Sequence, residues 1–418
     1  MKAYLAGVPD DSFVDKLIFS GVPQLGAPFI FKTLQYGDNL DFTLGPFDLL
    51  NPDEVKSIVQ NMPGVYELLP SRRFADVDGG YVLRDTTDDA GNASTQVLDF
   101  DETDSLLMAG LDDSRNPGLL ARADAFHASL DAAPVASGAS GASGTPHIYN
   151  IVGCQTPTPA QYVLHDDGSV DINRANGDGS VPVDSAMNLA NGYQNYFILG
   201  SEHGVDHQGL VSDPQPLALV QAIIQGTAAS LPLQSLGIST ASEDCLQGRG
   251  TPRPTTLAIS ASASSTIDVY DSAGDHDGVN AAGDIDLQIP GSFYDMIGGN
   301  TFVTLPASTS IAKVAIKKSP SAKSSRGATT IKVKTYDTAV RTTATTTYTG
   351  VPLDASSTAV LTFAPAGTPG TASSTPTPIL TVEGSAESAT GTVIAPDPPA
   401  GPGGTAAPAH TPLACVRI

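Results

Sequence analysis

The stretch Asp171 to Pro214, DINRANGDGSVPVDSAMNLANGYQNYFILGSEHGVDHQGLVSDP, constrains the fold more than any other part of the 418 residues. Asp178 lies in NGDGSVP, where Asn176 and the flanking glycines permit the tight, positive-φ backbone that lifts a carboxylate clear of a strand end. A short apolar strand is expected over Tyr196 to Leu199, and after it a polar loop carries His203 and His207. A helix should follow at once: Ser212 and Asp213 are N-cap candidates, Pro214 suits a first turn, and Leu217, Val220, Ile223 and Ile224 offer one apolar face before Gly226.

A loop carboxylate after one strand, then a loop histidine after the next strand and before a helix, is the Asp…His half of a hydrolytic triad in α/β-hydrolase chain order. A histidine that takes a proton from a serine hydroxyl needs its other ring nitrogen held by a carboxylate, which fixes the tautomer and stabilises the imidazolium. Taken alone, an acidic G-D-G turn is also an ordinary turn, and a loop histidine an ordinary solvated side chain.

GDGSVPVDSA followed by H-x-G-L-x-x-D-P resembles the C-terminal signature of the lecithin:cholesterol acyltransferase family of lipases and acyltransferases. VDKLIFSGVPQLGAPF, residues 14 to 29, is similar to that family's G-T-P-H-L-G-[AS]-P strand and loop, with Val22 in place of Thr and Gln24 in place of His. NMPGVYELLPS, residues 61 to 71, is similar to its P-x-x-x-x-L-L-P segment. The resemblance covers residues 1 to about 230. It implies a serine hydrolase or O-acyltransferase acting on acyl esters of lipids, with His207 as general base and then acid and Asp178 orienting it. His207 matches better than His203 because its spacing to Gly209, Leu210 and Asp213 is the family's; His203 is the alternative.

The family's nucleophile sits in a G-x-S-x-G elbow, and no such motif occurs in the chain. Ser140 and Ser143 in SGASGASG and Ser201 in GSEHG are the nearest imitations, and none is expected on a strand-turn-helix. Met1 to Gly7 reads as the last turns of the helix that follows the elbow. The resemblance therefore implies a chain that begins just after its nucleophile, lacks the early strands and the oxyanion loop, and is inactive alone. A second reading stays open: a non-catalytic surface binding or adhesion protein built on a degenerate hydrolase domain.

The expected fold is thus a partial α/β hydrolase over residues 1 to 250, with a cap region at about 40 to 145, then a β-sandwich over 251 to 364 and a disordered Pro/Gly-rich tail over 365 to 418. One core seldom serves more than about 300 residues, so several units are expected. Within the first unit, strands are predicted at Val14 to Phe19 and His147 to Val152. Asn51 with Glu54 predicts a capped helix starting at Pro52. A second helix is expected from Asn116 to Leu130, with Leu119, Ala123, Phe126 and Leu130 inward and His127 as a packing or surface residue. Residues 72 to 113, acidic and weakly periodic, fit a lid better than a strand or a helix.

From Thr255 the pattern alternates with period two, at residues 284 to 289, 312 to 317 and 330 to 335, which predicts antiparallel strands ending near Phe363. VYDSAGDHDG, IPGSFYD and FVTLP in that order resemble an accessory β-domain found downstream of bacterial cell-surface hydrolases. Asp271, Asp275 and Asp277 are a conceivable calcium cradle or simply a solvated hairpin. A glycan-binding sandwich would need exposed aromatics on one sheet face, for which Tyr270, Phe293 and Tyr294 are the candidates. The tail holds 10 of the 32 prolines and cannot bury a core.

Charge narrows the partners. Residues 1 to 253 carry 32 acids and 12 bases, residues 254 to 418 carry 12 and 9, and the total is −23, which argues against nucleic acid and anionic membrane surfaces. No cofactor or metal is expected; the implied partner is a lipid or acyl-ester substrate, in a secreted or cell-surface setting, although this chain has no signal peptide. Cys154 and Cys245 either pair in an oxidising compartment or remain two buried thiols, and Cys415 lies in the tail.

Overall fold

The computed structural model describes residues 14–38, 43–44, 47–48, 51–87, 93–111, 116, 118–132, 147–189, 194–200, 205–247, 256–262, 264–281, 283, 285–306, 309–319, 327–337, 339–363, 378–383 and 392–394. The expected helix at Met1 to Gly7, His203, Ser140, Ser143, Ser201 and Cys415 lie outside these residues.

In chain order the strands of the first part are β1 (Lys16–Ser20), β2 (Thr43–Leu44), β3 (Phe47–Asp48), β4 (Val82–Thr87), β5 (Ala93–Val97), β6 (His147–Cys154), β7 (Thr156–His165), β8 (Val170–Gly177), β9 (Gln194–Leu199) and β10 (Ile238–Ser239). One sheet runs β1-β6-β9-β10, with β1, β6 and β9 mutually parallel and β10 antiparallel at the edge. Parallel strands need cover on both faces and so read as unbroken apolar runs. Alternate residues of β6 and β9 divide accordingly. Ile151, Tyr196 and Ile198 pack with Leu219 and Ile223 of the helix Pro214–Gln225, whereas Val152, Phe197 and Leu199 join the cluster around Leu25, Phe31 and Tyr162. Each such side chain contributes about 1.5–3 kcal/mol by leaving water.

This is not the α/β-hydrolase fold expected from the sequence. Among the described residues strand exceeds helix, 42% against 30%, and the four larger sheets are mostly antiparallel. The cause is visible at Gln155. This residue takes φ +67° and turns the chain out of β6 straight into β7, and the segment leading to the GDGSVP turn is the antiparallel hairpin β7–β8. A second sheet, β5-β4-β7-β8, forms on that hairpin. Two of its strands, β5 at the edge and β4 inside it, come from residues 72 to 113, which were expected to form a cap or lid rather than a central strand or helix. They fold instead as the helix Arg72–Asp78, the hairpin β4–β5 and the helix Phe100–Gly110, the last opened by a capping box between Asp99 and Glu102.

Other local expectations meet mixed outcomes. Asn51 and Glu54 form their capping box at the helix Pro52–Val59. The helix Gly118–Ala132 buries Leu119, Ala123 and His127, so the histidine is a core residue and not a surface one. The helix Pro214–Gln225 ends at a left-handed Gly226, but it is rotated from the expected stripe: Leu219 and Ile223 face the sheet while Leu217 and Ile224 face solvent. A sheet this narrow covers only one line of side chains.

The second part holds β11 (Thr256–Ala261), β12 (Ser265–Asp271), β13 (His276–Val279), β14 (Ile285–Leu287), β15 (Phe293–Ile297), β16 (Asn300–Leu305), β17 (Ile311–Lys318), β18 (Gly327–Tyr336), β19 (Thr342–Leu353), β20 (Thr358–Thr362), β21 (Ile379–Glu383) and β22 (Thr392–Ile394). They make a five-stranded sheet, β15-β16-β11-β18-β19, and a seven-stranded sheet, β14-β13-β12-β17-β20-β21-β22, enclosing one core of Ile267, Val303, Val314, Ile331, Tyr348 and Leu361. The tail expected to be disordered contributes β21 and β22. Alternation within Ile379–Glu383 buries Leu380 and Val382, which suffices to add a strand to an open edge.

The two parts share contacts. Asn300 Nδ2 donates to Val170 O over 2.9 Å, and Ile297 and Phe302 pack in the same cluster as Val170 and Ile172. Lys32, buried, bonds Asp38 at 2.7 Å and Asp295 of β15 at 2.6 Å.

Candidate active site

β8 ends at Gly177, and Asp178 follows in a turn closed by its own carboxylate. Oδ1 accepts the N–H of Ser180 at 2.9 Å and of Val181 at 2.7 Å. Gly179 takes φ +99°, the left-handed conformation that the G-D-G turn was expected to need, and donates its N–H to Thr158 Oγ1 at 2.8 Å. The Asp178 side chain is 1% exposed.

His207 arrives on the loop between β9 and the helical turn Gly209–Ser212. Its Nδ1 lies 2.9 Å from Asp178 Oδ2. The contact fixes the tautomer: an ionised carboxylate only accepts, so Nδ1 carries the proton and Nε2 presents its lone pair. The ring is 39% exposed, and among the described residues Nε2 has no hydrogen-bond partner. Asp178, acting first through this hydrogen bond and then through its charge, raises the His207 pKa above the ordinary histidine value; burial opposes the rise and Asp206 adds to it. Asp206 also holds the loop by accepting the Gly209 N–H at 2.8 Å.

Two glycines let the pair sit against the carboxyl ends of the parallel strands. A Cβ on Gly153, at the end of β6, would lie 2.6 Å from Asp178 Cβ. One on Gly21, just after β1, would lie 2.8 Å from Leu210 Cδ1 and 3.2 Å from the His207 ring. The pair therefore occupies the end of a parallel sheet where ligands are commonly received.

The nucleophile is the open position. Ser20 donates its hydroxyl to Leu210 O at 3.1 Å, and Ser185 donates to Gly26 O at 2.6 Å while accepting from Leu25 N. Neither is bonded to His207. On the same loop after β1, Gln24 is buried and its Nε2 has no acceptor among the described residues. Sequence reasoning noted Gln24 only as a departure from the resembled motif.

Phe293, offered by the sequence only as a candidate exposed aromatic, lies at the Asp178 turn instead. Its ring end would lie 2.6 Å from a Cβ on Gly179, so β15 of the sandwich lays an aromatic wall on the Asp178 turn. The expected display of aromatics on one sheet face does not form: Phe293 rests on Gly179, Tyr294 is buried, and Tyr270 stacks on His276 with centroids 4.5 Å apart. Asp271, Asp275 and Asp277 do not converge either. Asp271 Oδ1 caps its own turn by accepting Ala273 and Asp275 N–H, and Asp277 Oδ1 accepts Ile289 N–H. Among the described residues no group of three or more His, Cys, Asp or Glu is arranged to hold a metal ion. Cys154 and Cys245 are both buried free thiols, and burial, followed by the adjacent Cys154, pushes the Cys245 pKa well up.

No family profile matches this chain, and neither does any curated protein.

Proposed function

We propose that Asp178 and His207 are the orienting carboxylate and the general base of a site that cleaves or transfers acyl esters, with a lipid or other acyl ester as substrate and a secreted or cell-surface setting. The observation that carries this reading is the 2.9 Å contact between His207 Nδ1 and a carboxylate that is itself fixed by two backbone N–H groups. That arrangement leaves Nε2 free to take a proton from a nucleophile, pass it to a leaving alkoxide, and be restored when water or an acceptor alcohol attacks the acyl intermediate. The reading rests on the contact and on the sequence resemblance, and not on the sheet architecture. The nucleophilic hydroxyl must come from outside the described residues.

A second reading has one observation in its favour. Among the described residues no serine or cysteine is bonded to His207, while Phe293 of the sandwich covers the Asp178 turn, as a binding surface built on a disused site would allow.

A fluorophosphonate ester, which phosphonylates only an activated serine, separates the two readings. The chain of 418 residues and the longest product of its reading frame are each treated, and labelled peptides are mapped. The expected result is a labelled serine in a form that carries the nucleophile, with labelling abolished by His207→Ala and by Asp178→Ala. Absence of labelling in every form would leave the pair nothing to activate and would favour the binding protein.

A further inference from the structure

Away from the dyad, residues of β8 and of the five-stranded sheet line a small cleft that is partly open to solvent. Its walls carry Arg174 and Asp171 of β8, Thr304 of β16, and Lys332 and Lys334 of β18. Three cations in one small cleft stand out in a chain of net charge −23.

Asp171 does not neutralise them, because its carboxylate is taken by the hydrogen-bonded ammonium of Lys332. The Arg174 side chain is 4% exposed, and its Nη2 makes no hydrogen bond; its one ion pair is a long one, 3.9 Å to Asp295 Oδ2, on a carboxylate whose Oδ1 bonds Lys32. Thr304 Oγ1 is a second buried polar atom of the cleft with no hydrogen-bond partner among the described residues. Burial pushes the Lys334 pKa down, and Lys332 and Arg174 press it the same way against Asp171 alone. A buried guanidinium and a half-buried ammonium left short of negative charge are costly unless an anion joins them.

We propose that this cleft binds a small tetrahedral oxyanion, inorganic phosphate or a phosphate monoester, held by Arg174, Lys334 and the Thr304 hydroxyl. Water satisfies hydrogen bonds but not charge. A guanidinium fork, an ammonium and a hydroxyl on three different strands supply the several converging donors that a phosphoryl group accepts. Bound there, the anion ties β8, which leads directly into the Asp178 turn, to the sandwich sheet. This site is independent of the acyl-ester reading.

The test is calorimetric titration of the full chain with inorganic phosphate, and separately with sn-glycerol 3-phosphate, at ionic strength held constant with chloride. Saturable one-site binding is expected, weakened about tenfold or more by Lys334→Gln and by Thr304→Val, as befits loss of one bond to a charged group. Lys313→Gln, on the exposed part of β17, should leave it unchanged. Binding of both ligands assigns the site to monoesters such as a lipid headgroup; binding of inorganic phosphate alone assigns it to free phosphate. Arg174→Gln should abolish binding, and if circular dichroism shows that variant unfolded, the other two decide. Absence of saturable heat with either ligand, or affinities unchanged in both Lys334→Gln and Thr304→Val, would overturn the proposal.

Discussion

Replacing Asp178 by alanine and by asparagine should separate its two jobs. Alanine strips the acceptor from the Ser180 and Val181 N–H groups and from His207 Nδ1. Val181 is buried, so its orphaned N–H costs about 1–3 kcal/mol; adding the lost charge-assisted bond to His207 brings the total to about 3–5 kcal/mol. Asparagine keeps an amide oxygen for both N–H groups and loses only the bond to the ring, at about 1–2 kcal/mol. His207→Ala should cost about as little, because Asp178 keeps its two backbone donors. Urea denaturation followed by circular dichroism reads these as midpoint shifts at constant slope. The histidine ring reports the rest. Its pKa is raised in the folded chain, so its contribution to stability is fully present below the unfolded value of about 6.5 and is lost as pH rises through the folded value. Asp178→Asn removes the cause, and an NMR titration should find the ring titrating lower with that stability window gone. Equal midpoints for the alanine and asparagine variants, or a His207 titration indifferent to Asp178→Asn, would refute the claim that this carboxylate holds both the turn and the ring.

Lys32→Met should leave Asp38 and Asp295 facing each other without their shared cation and cost about 3–5 kcal/mol, part of it recovered when Asp295→Asn is added; a double-mutant cycle by denaturation checks the coupling. Burial, with Asp184 adding, pushes Asp78 up to about 7, and burial with Asp124 does the same to Asp104; each then holds a proton when folded that it gives up when unfolded, so stability should fall as pH rises from about 4 to 7, and Asp78→Asn should flatten that slope in thermal melts. Ellman's reagent should find neither Cys154 nor Cys245 in a native Cys415→Ser variant and both in concentrated guanidinium, because both thiols are buried out of the reagent's reach.

What could be read in advance was local chemistry. β6 and β9 are continuous apolar runs, Asn51 and Glu54 spell a capping box, and the G-D-G turn calls for the positive φ that Gly179 adopts. Turn chemistry and chain order point to Asp178 and a loop histidine, and the choice of His207 over His203 came from the resembled family's spacing. β4 and β5 escaped because Arg84, Asp85, Thr86, Ser94, Thr95 and Gln96 are polar; only Val82 and Leu83 are buried in the hairpin, and pairing with β7 is decided 80 residues away. Gln155 hid the second sheet, since a left-handed glutamine carries no signal in a sequence. Phe293 against Gly179 and Arg174 against Lys334 join residues whose proximity no period or motif encodes.

The location of the dyad follows from a contrast within the molecule. Antiparallel hairpins such as β7–β8 present alternating edges and return the chain to where it began, whereas β1, β6 and β9 run together and deliver three loops to one end. There four separate segments of the chain, at Gly21, Gly153, Asp178 and His207, converge. The convergence is tight enough that a single methyl on Gly153 would collide with the Asp178 side chain. Gly153 near the end of β6 and Gly21 just after β1 therefore leave the room in which the carboxylate and the imidazole reach each other. A buried aspartate holding a loop could have been seated with any small hydrogen-bonded turn; one that also bonds Nδ1 of a partly exposed histidine is what the proposed proton transfer at Nε2 requires.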